Sequence, residues 1–187
     1  SVHMECSAKE NIHTVKIYTS NDPNKEMRFA LKASIQPGNL SLAPLNRSCM
    51  DFQGSSELIY GNLKKVGYTY SNHFKVLSGV SLQGNRNLAF YDSNLITPVL
   101  DSPFQLAAVS CSDLLMGLID SHQTYVPFEI GGIHFNNSKK RAMYTEVIRK
   151  SAGHSEIIFD AYIYDSDGLI LFMYEECVIR RVPLPYF

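Results

Sequence analysis

The sequence is poor in charge, and neither sign prevails. Charged residues make up 19% of the 187 residues, and the formal net charge at pH 7 is −1. A chain without an excess of positive charge has no general electrostatic attraction to nucleic acid, so we expect no nucleic-acid partner. The short basic clusters at residues 64–65, 139–141, 149–150 and 180–181 are each expected to lie in solvated loops or at strand ends.

Cysteine is also scarce, with four residues at positions 6, 49, 111 and 177. They form no Cys-x-x-Cys motif and have no histidine at ligand spacing, so the sequence predicts neither a zinc site nor a redox motif. Reduced thiols fit this pattern best. We therefore expect a cytoplasmic protein that holds no metal and no bound cofactor of its own.

The sequence also lacks a long apolar run that is free of polar residues. The most apolar stretch, residues 99–119, contains Asp101, Gln105 and Asp113, which a membrane-spanning helix rarely tolerates. No secretory signal sequence is evident. We expect no membrane association, and the apolar stretch is predicted to be a buried helix.

What is present in that stretch is a carboxylic acid and a carboxamide four residues apart, Asp101 and Gln105. Positions i and i+4 of a helix lie on one face, so the two side chains are expected to touch. This pairing is typical of a site. The competing interpretation makes Asp101 the N-cap of the helix, with Ser102 and Pro103 in its first turn. The two roles are compatible.

Alternating apolar and polar residues predict a hairpin from strands at residues 12–19 and 27–35 around a turn at 21–24. Residues 36–54 are rich in Pro, Gly, Ser and Asn and are typical of a linker. A short amphipathic helix is predicted from Ser55 to Val66, ended by Gly67, with Tyr60 and Leu63 on one face.

The rest of the chain predicts antiparallel strands and one apolar helix. A helix that is apolar on almost every side must be wrapped, and an antiparallel sheet around it gives an α+β hotdog fold. The predicted strands lie at residues 75–82, 88–91, 125–135, 142–149, 156–165 and 169–182.

Two motifs resemble those of the dehydratase domains of polyketide synthases and animal-type fatty acid synthases, which contain two hotdogs in tandem. Residues 67–74 are similar to Gly-x-x-Tyr-Gly-Pro-x-Phe, with Tyr70 and Phe74 matching and Ser71 and Asn72 in place of Gly and Pro. Leu100, Asp101 and Gln105 are similar to the family's second-hotdog motif Leu-Asp-x-x-x-Gln. The resemblance implies the C-terminal half of a double hotdog.

The resemblance implies that Asp101 is the catalytic acid and that Gln105 positions it. It also implies that Tyr70, Phe74, Leu100 and Phe104 contact an acyl substrate, which the phosphopantetheine of an acyl carrier protein presents as a thioester. For Tyr70 and Phe74, packing in the core is the competing interpretation. An acid must hold its proton, so burial of Asp101 has to outweigh the field of the helix N-terminus.

The family's general base is a histidine in the motif His-x-x-x-Gly-x-x-x-x-Pro, and this sequence has no such motif. Three hypotheses follow. In the first, the chain is a dehydratase half, a lyase whose histidine comes from another polypeptide or from a region upstream of this sequence. In the second, it is an altered hotdog that catalyses double-bond isomerisation or cyclisation. In the third, it is a non-catalytic module that docks carrier protein or partner subunits. A partner hotdog, either a second copy or a His-bearing half, is expected in each.

The predicted domain organisation has five parts. Residues 1–4 are interpreted as a cloning remnant, 5–38 as a hairpin resembling the end of a first hotdog, and 39–54 as the linker. Residues 55–183 form the predicted dehydratase-like hotdog, and 184–187 are a tail.

Overall fold

The computed structural model describes eleven segments of the chain: residues 2–9, 12–19, 28–35, 44–45, 51, 54–65, 67–91, 99–110, 123–136, 138 and 140–183. The chain divides into two compact units, Ser1–Asn39 and Leu40–Phe187. The finer domain boundaries given above stay a prediction.

The first unit is a three-stranded antiparallel sheet of β1 (Val2–Lys9), β2 (Ile12–Thr19) and β3 (Arg28–Ile35), in that order. β2 and β3 pair as the predicted hairpin, with Val15 opposite Ala33. β1 was not predicted, and it begins inside residues 1–4. Its signal is the alternation of Val2, Met4, Cys6 and Ala8 with polar residues, which has the period of a strand.

Helix α1 (Ser56–Lys65) lies in the second unit, close to its predicted bounds. The buried face of α1 consists of Ile59, Tyr60 and Leu63. The helix ends where Gly67 adopts a φ of 91°, a left-handed conformation that glycine accepts without a steric penalty. The backbone N–H of Tyr68 then closes the helix by donating to the carbonyl of Leu63 at 2.9 Å.

A six-stranded antiparallel sheet forms most of this unit, with its strands in the order β4-β5-β7-β8-β9-β6. Long strands with β-branched and aromatic residues at alternate positions favour this arrangement. All six strands lie where the sequence predicted them, within a few residues at each end. They are β4 (Leu77–Gln83), β5 (Arg86–Tyr91), β6 (Gln123–Phe135), β7 (Ala142–Ala152), β8 (Glu156–Asp165) and β9 (Ile170–Pro183).

Helix α2 (Ser102–Ser110) follows a 3-10 turn at Val99–Asp101. Every residue from Ser102 to Val109 is buried, and α2 packs against β4, β5, β7, β8 and α1. The apolar helix was predicted to continue to Ile119, and residues 111–120 lie outside the described part of the chain. The α+β hotdog fold, a sheet wrapped around a buried helix, is confirmed.

The sheet buries apolar side chains on both faces. One face packs against α2 and forms the main core, which includes Ala89, Leu106 and Ile163. The opposite face carries a smaller cluster of Leu45, Leu88, Tyr164 and Ile170. Leu88 and Tyr164 are the chain neighbours of Ala89 and Ile163, and successive side chains of a strand point to opposite faces. Among the described residues, no helix is long and apolar enough to span a membrane.

Candidate functional site

Asp101 and Gln105 make the contact that their spacing predicted. Gln105 is completely buried, and its Nε2 donates a hydrogen bond to Oδ2 of Asp101 at 3.0 Å. Asp101 is partly buried and lies immediately before the first residue of α2. Among the described residues, its carboxyl group accepts this bond from a side chain rather than from the helix backbone.

The amide of Gln105 is held in one orientation by two further hydrogen bonds. Its Nε2 also donates to the backbone carbonyl of Phe74 at 2.8 Å, and its Oε1 accepts from the hydroxyl of Tyr60 at 2.7 Å. A carbonyl oxygen can only accept, so Nε2 must face Phe74 and therefore Asp101. These hydrogen bonds therefore fix the rotation of the Gln105 amide group, so that it cannot exchange the positions of Nε2 and Oε1.

Tyr60 is the residue of this network that the sequence prediction missed. Its hydroxyl accepts a hydrogen bond from the backbone N–H of Leu77 at 2.9 Å while it donates to Gln105. The available signal was a tyrosine on the buried face of α1, because a buried tyrosine hydroxyl requires a partner. The identity of that partner, 45 residues further along the chain, has no local signature.

Burial decides the protonation of Asp101. Desolvation raises the pKa of this carboxyl group above its usual value, and the hydrogen bond from Gln105 opposes that rise without cancelling it. Burial therefore outweighs the stabilisation of the carboxylate by its surroundings. The proton is held more tightly than on an exposed aspartate, which is the property that a general acid needs.

Tyr60 also packs in a cluster with two other tyrosines, Tyr68 and Tyr70. Tyr60 and Tyr70 pack edge to face with ring centroids 5.8 Å apart, and Tyr68 stacks on Tyr70 at 6.3 Å. Burial raises the pKa of Tyr60 to about 12, and the charge of Asp101 adds to this rise. Burial and then the charge of Asp101 likewise raise the pKa of Tyr70. Both hydroxyls therefore stay protonated at neutral pH.

A cavity of about 500 Å³ adjoins the network, because Tyr60 and Tyr70 line it. Its walls come from α1 and from the segment that follows α1. They combine aromatic rings with charged groups, since Lys64, Lys75 and Glu57 also line the cavity. The ammonium group of Lys75 lies 5.9 Å from the centroid of the Tyr60 ring.

The four residues predicted to contact substrate occupy different environments. Tyr70 lines the cavity, whereas the side chains of Phe74 and Leu100 are exposed, at 46% and 47%. Phe104 is buried and packs edge to face against Phe159 at 5.7 Å, so it is part of the core. Contact of these four residues with a substrate stays a prediction.

No histidine with a described side chain hydrogen-bonds to Asp101. His73 is exposed, His134 pairs with Glu175 at 2.9 Å across β6 and β9, and His154 is exposed in the turn after β7. His122 and the side chains of His3 and His13 lie outside the described part of the chain.

A comparison with protein families shows which family this chain belongs to. A family model described as the polyketide synthase dehydratase N-terminal domain matches residues 37–183, more than half of the chain. The chain belongs to this family. The membership indicates a dehydratase, and hence a lyase, as the kind of activity. The description names the N-terminal domain, whereas the motifs around Asp101 indicated the C-terminal hotdog, so the choice of half stays a prediction.

Solved dehydratase domains share the fold. An inactive mutant of the CurJ dehydratase superposes with a TM-score of 0.77 at 17% identity over 97% of this chain and 67% of that one. A trans-AT polyketide synthase dehydratase domain from Brevibacillus brevis gives 0.77 at 16%, covering 97% and 69%. The PpsC dehydratase domain from Mycobacterium tuberculosis, in complex with C12:1-CoA, gives 0.73 at 16%, covering 97% and 68%. No curated protein matches the sequence significantly.

Proposed function

We propose that this dehydratase fold provides the acid half of a catalyst that removes water from β-hydroxyacyl thioesters on an acyl carrier protein. The observation that carries the proposal is the carboxyl group of Asp101. It is partly buried, its pKa is raised by burial, and its orientation is fixed through Gln105. These are the requirements for protonating a leaving hydroxyl group.

In the proposed reaction, a base removes the α-proton of the thioester while Asp101 donates its proton to the β-hydroxyl. The electron pair of the α C–H bond becomes the new carbon–carbon double bond, and the C–O bond breaks to release water. Asp101 is left as a carboxylate, which the N–H group of Gln105 stabilises. Proton exchange with solvent then restores the acid and the base.

The cavity beside Tyr70 is the proposed entrance for the acyl arm. Its volume of about 500 Å³ lies within the usual range of small-molecule sites. The complex of the PpsC domain with C12:1-CoA shows that a protein of this fold binds an acyl thioester. The phosphopantetheine belongs to the carrier protein, so the proposal needs no cofactor held by this chain.

The general base is proposed to be a histidine on a partner hotdog, because the family's histidine motif is absent from the sequence. The CurJ structure named above carries a histidine-to-phenylalanine change and is described as inactive, which supports a histidine requirement in that protein.

Edge strand β6 is the proposed contact for the partner. Among the described strands of its unit, β6 pairs only with β9. An uncovered strand edge favours pairing with another chain. The edge exposes four large apolar side chains, Phe128, Ile130, Ile133 and Phe135.

The test incubates the chain with a β-hydroxyacyl carrier protein, alone and with a His-bearing hotdog of the family, and measures the intact mass of the carrier. We expect loss of one water only in the mixture, and a rate about 10²- to 10⁴-fold lower for Asp101→Asn. Asp167→Asn, which changes an exposed aspartate, is the matched control and should retain the wild-type rate.

Two results would favour the other hypotheses. If an enoyl group on the carrier protein takes up deuterium from heavy water but neither gains nor loses water, the result would indicate double-bond isomerisation. Carrier binding without any chemical change in either mixture would indicate a docking module and would refute the proposed dehydration.

A further inference from the structure

The backbone just before Asp101 is tied to strand β9. The hydroxyl of Tyr174 donates a hydrogen bond to the carbonyl oxygen of Leu100 at 3.2 Å. Tyr174 is buried, and its ring packs edge to face against Phe104 of α2 with the centroids 6.4 Å apart. The ring contact directs the hydroxyl group toward the turn that contains Leu100 and Asp101.

The residue just after Asp101 is tied to strand β5. The hydroxyl of Tyr91 and the Oγ of Ser102 are 2.6 Å apart in a hydrogen bond. Both residues are buried, Ser102 completely. In the sheet, β5 and β9 are separated by β7 and β8, so the two bonds hold the segment from opposite sides.

One hydrogen bond at the residue before Asp101 and one at the residue after it restrict the backbone torsions of Asp101. Gln105 by itself fixes only the carboxyl end of the Asp101 side chain. A misplacement of about 1 Å can reduce a reaction rate on the order of 100-fold, so control of the main chain matters for an acid. Catalytic groups are held to such tolerances by surrounding residues that are themselves locked by packing.

We propose that Tyr91 and Tyr174 are positioning residues for Asp101, and that their hydroxyl groups fix the segment Leu100–Ser102 between β5 and β9. This inference rests on the proposed role of Asp101 as the acid. It predicts that removing either hydroxyl loosens the segment and admits water to the carboxyl group, without changing the fold.

The side chains around Asp101 do not titrate in the pH range of a carboxylic acid. They are Gln105 from α2, Tyr60 from α1, Tyr70 from the segment after α1, and Tyr174 from β9. The charge of Asp101 contributes to the raised pKa of each of the three tyrosines, after burial as the main cause. All three titrate far above the range of a carboxylic acid, so a change of the Asp101 carboxyl signal at acidic or neutral pH reports Asp101 itself.

The test is a titration of the isotope-labelled aspartate carboxyl groups by NMR between about pH 3 and about pH 8. Asp101→Asn identifies the signal of Asp101. Wild type, Tyr91→Phe and Tyr174→Phe are compared with Tyr164→Phe, which removes a buried hydroxyl that donates to Glu146 on the other face of the sheet. Thermal melting of each variant gives the accompanying loss of stability.

We expect the midpoint of Asp101 to move downward, toward that of an exposed aspartate, in Tyr91→Phe and Tyr174→Phe and to stay at its wild-type value in Tyr164→Phe. Equal melting temperatures among the three variants combined with unequal midpoints would establish positioning rather than general stability. An unchanged midpoint in both test variants would overturn the inference. If one of the two variants does not fold, the other decides.

This readout needs no substrate, so it is separate from the proposed function. If the complete system dehydrates, kcat should fall on the order of tenfold in each test variant while KM stays within about twofold. If the wild type does not dehydrate and the midpoints still move, the proposed function fails while the structural role of the two tyrosines holds.

Discussion

Asp101 and Glu146 are two carboxyl groups of one unit that have opposite surroundings. Asp101 accepts a hydrogen bond from the neutral amide of Gln105 on the side of the sheet that faces α2. Glu146 is almost completely buried on the other side, where it accepts hydrogen bonds from Nε of Arg86 and, at 2.6 Å, from the hydroxyl of Tyr164. Among the described residues, Asp101 has no cationic partner.

The two carboxyl groups differ in the charge of their hydrogen-bond partner. A guanidinium beside a carboxylate compensates its charge and ties the pair together, and Glu146 in turn raises the pKa of Arg86. A neutral amide orients a carboxyl group without supplying charge, so burial raises the pKa of Asp101. One unit therefore contains both arrangements, a carboxyl group paired with a cation and a carboxyl group paired with a neutral amide.

The largest effect is expected from breaking the ionic network. In Glu146→Gln, an amide N–H group or an uncharged oxygen faces Arg86, and the free energy of unfolding should fall by about 2–3 kcal/mol. Arg86 is more than half exposed, so solvation limits the loss. Chemical denaturation measures it.

The control for this change is Glu156→Gln, which breaks the pair of Arg180 and Glu156, whose side chains are 42% and 38% exposed. An exposed pair contributes little, so the loss should stay below about 1 kcal/mol. Equal losses in the two variants would show that burial does not distinguish the two ion pairs.

A smaller effect is expected from Tyr60→Phe, which leaves both the N–H of Leu77 and the Oε1 of Gln105 without the hydroxyl. We expect a loss of about 2 kcal/mol, because two buried groups lose a partner. In Tyr164→Phe, Glu146 keeps its bond to Arg86, so the loss should be about 1 kcal/mol. A larger loss in Tyr164→Phe than in Tyr60→Phe would contradict this ranking.

The smallest effect, and the most specific, concerns pH. The folded protein binds the proton of Asp101 more tightly than the unfolded chain does, so the contribution of this group to stability falls as pH rises from its unfolded pKa through its folded pKa. Asp101→Asn should therefore melt at a higher temperature than wild type at neutral pH, and the difference should vanish below about pH 3.

Calorimetry across this pH range measures the difference, with Asp167→Asn as the exposed control. A variant that is less stable than wild type at neutral pH would mean that the ionised carboxylate stabilises the fold, contrary to the raised pKa. The predicted gain also implies that Asp101 lowers the stability of the wild-type protein at neutral pH.

Much of the fold could be predicted from local patterns. The six strands of the large sheet have β-branched and aromatic residues at alternate positions, and α1 ends before Gly67 as the sequence predicted. Strand β1 was missed although its alternation is present, because residues 1–4 were interpreted as a cloning remnant. The contact of Asp101 with Gln105 was predictable because it depends only on the geometry of one helix turn.

The other parts of the site could not be predicted, because they join distant parts of the chain. Tyr60 and Gln105 are 45 residues apart, and Tyr174 and Leu100 are 74 residues apart. A sequence pattern indicates that a tyrosine is buried, but the partner of its hydroxyl depends on the packing of complete elements.

The sequence by itself determined the α+β class, the strands of the large sheet, and the placement of a carboxyl group and an amide on one helix face. Those features depend on periodicity and on spacing within a few residues. The tertiary structure alone decided that burial outweighs the hydrogen bond from Gln105 and raises the pKa of Asp101. It also decided that Tyr60 bonds to Gln105, Tyr91 to Ser102 and Tyr174 to the carbonyl of Leu100. Desolvation is the sum of all atoms packed around a group, and that sum exists only once the chain has folded.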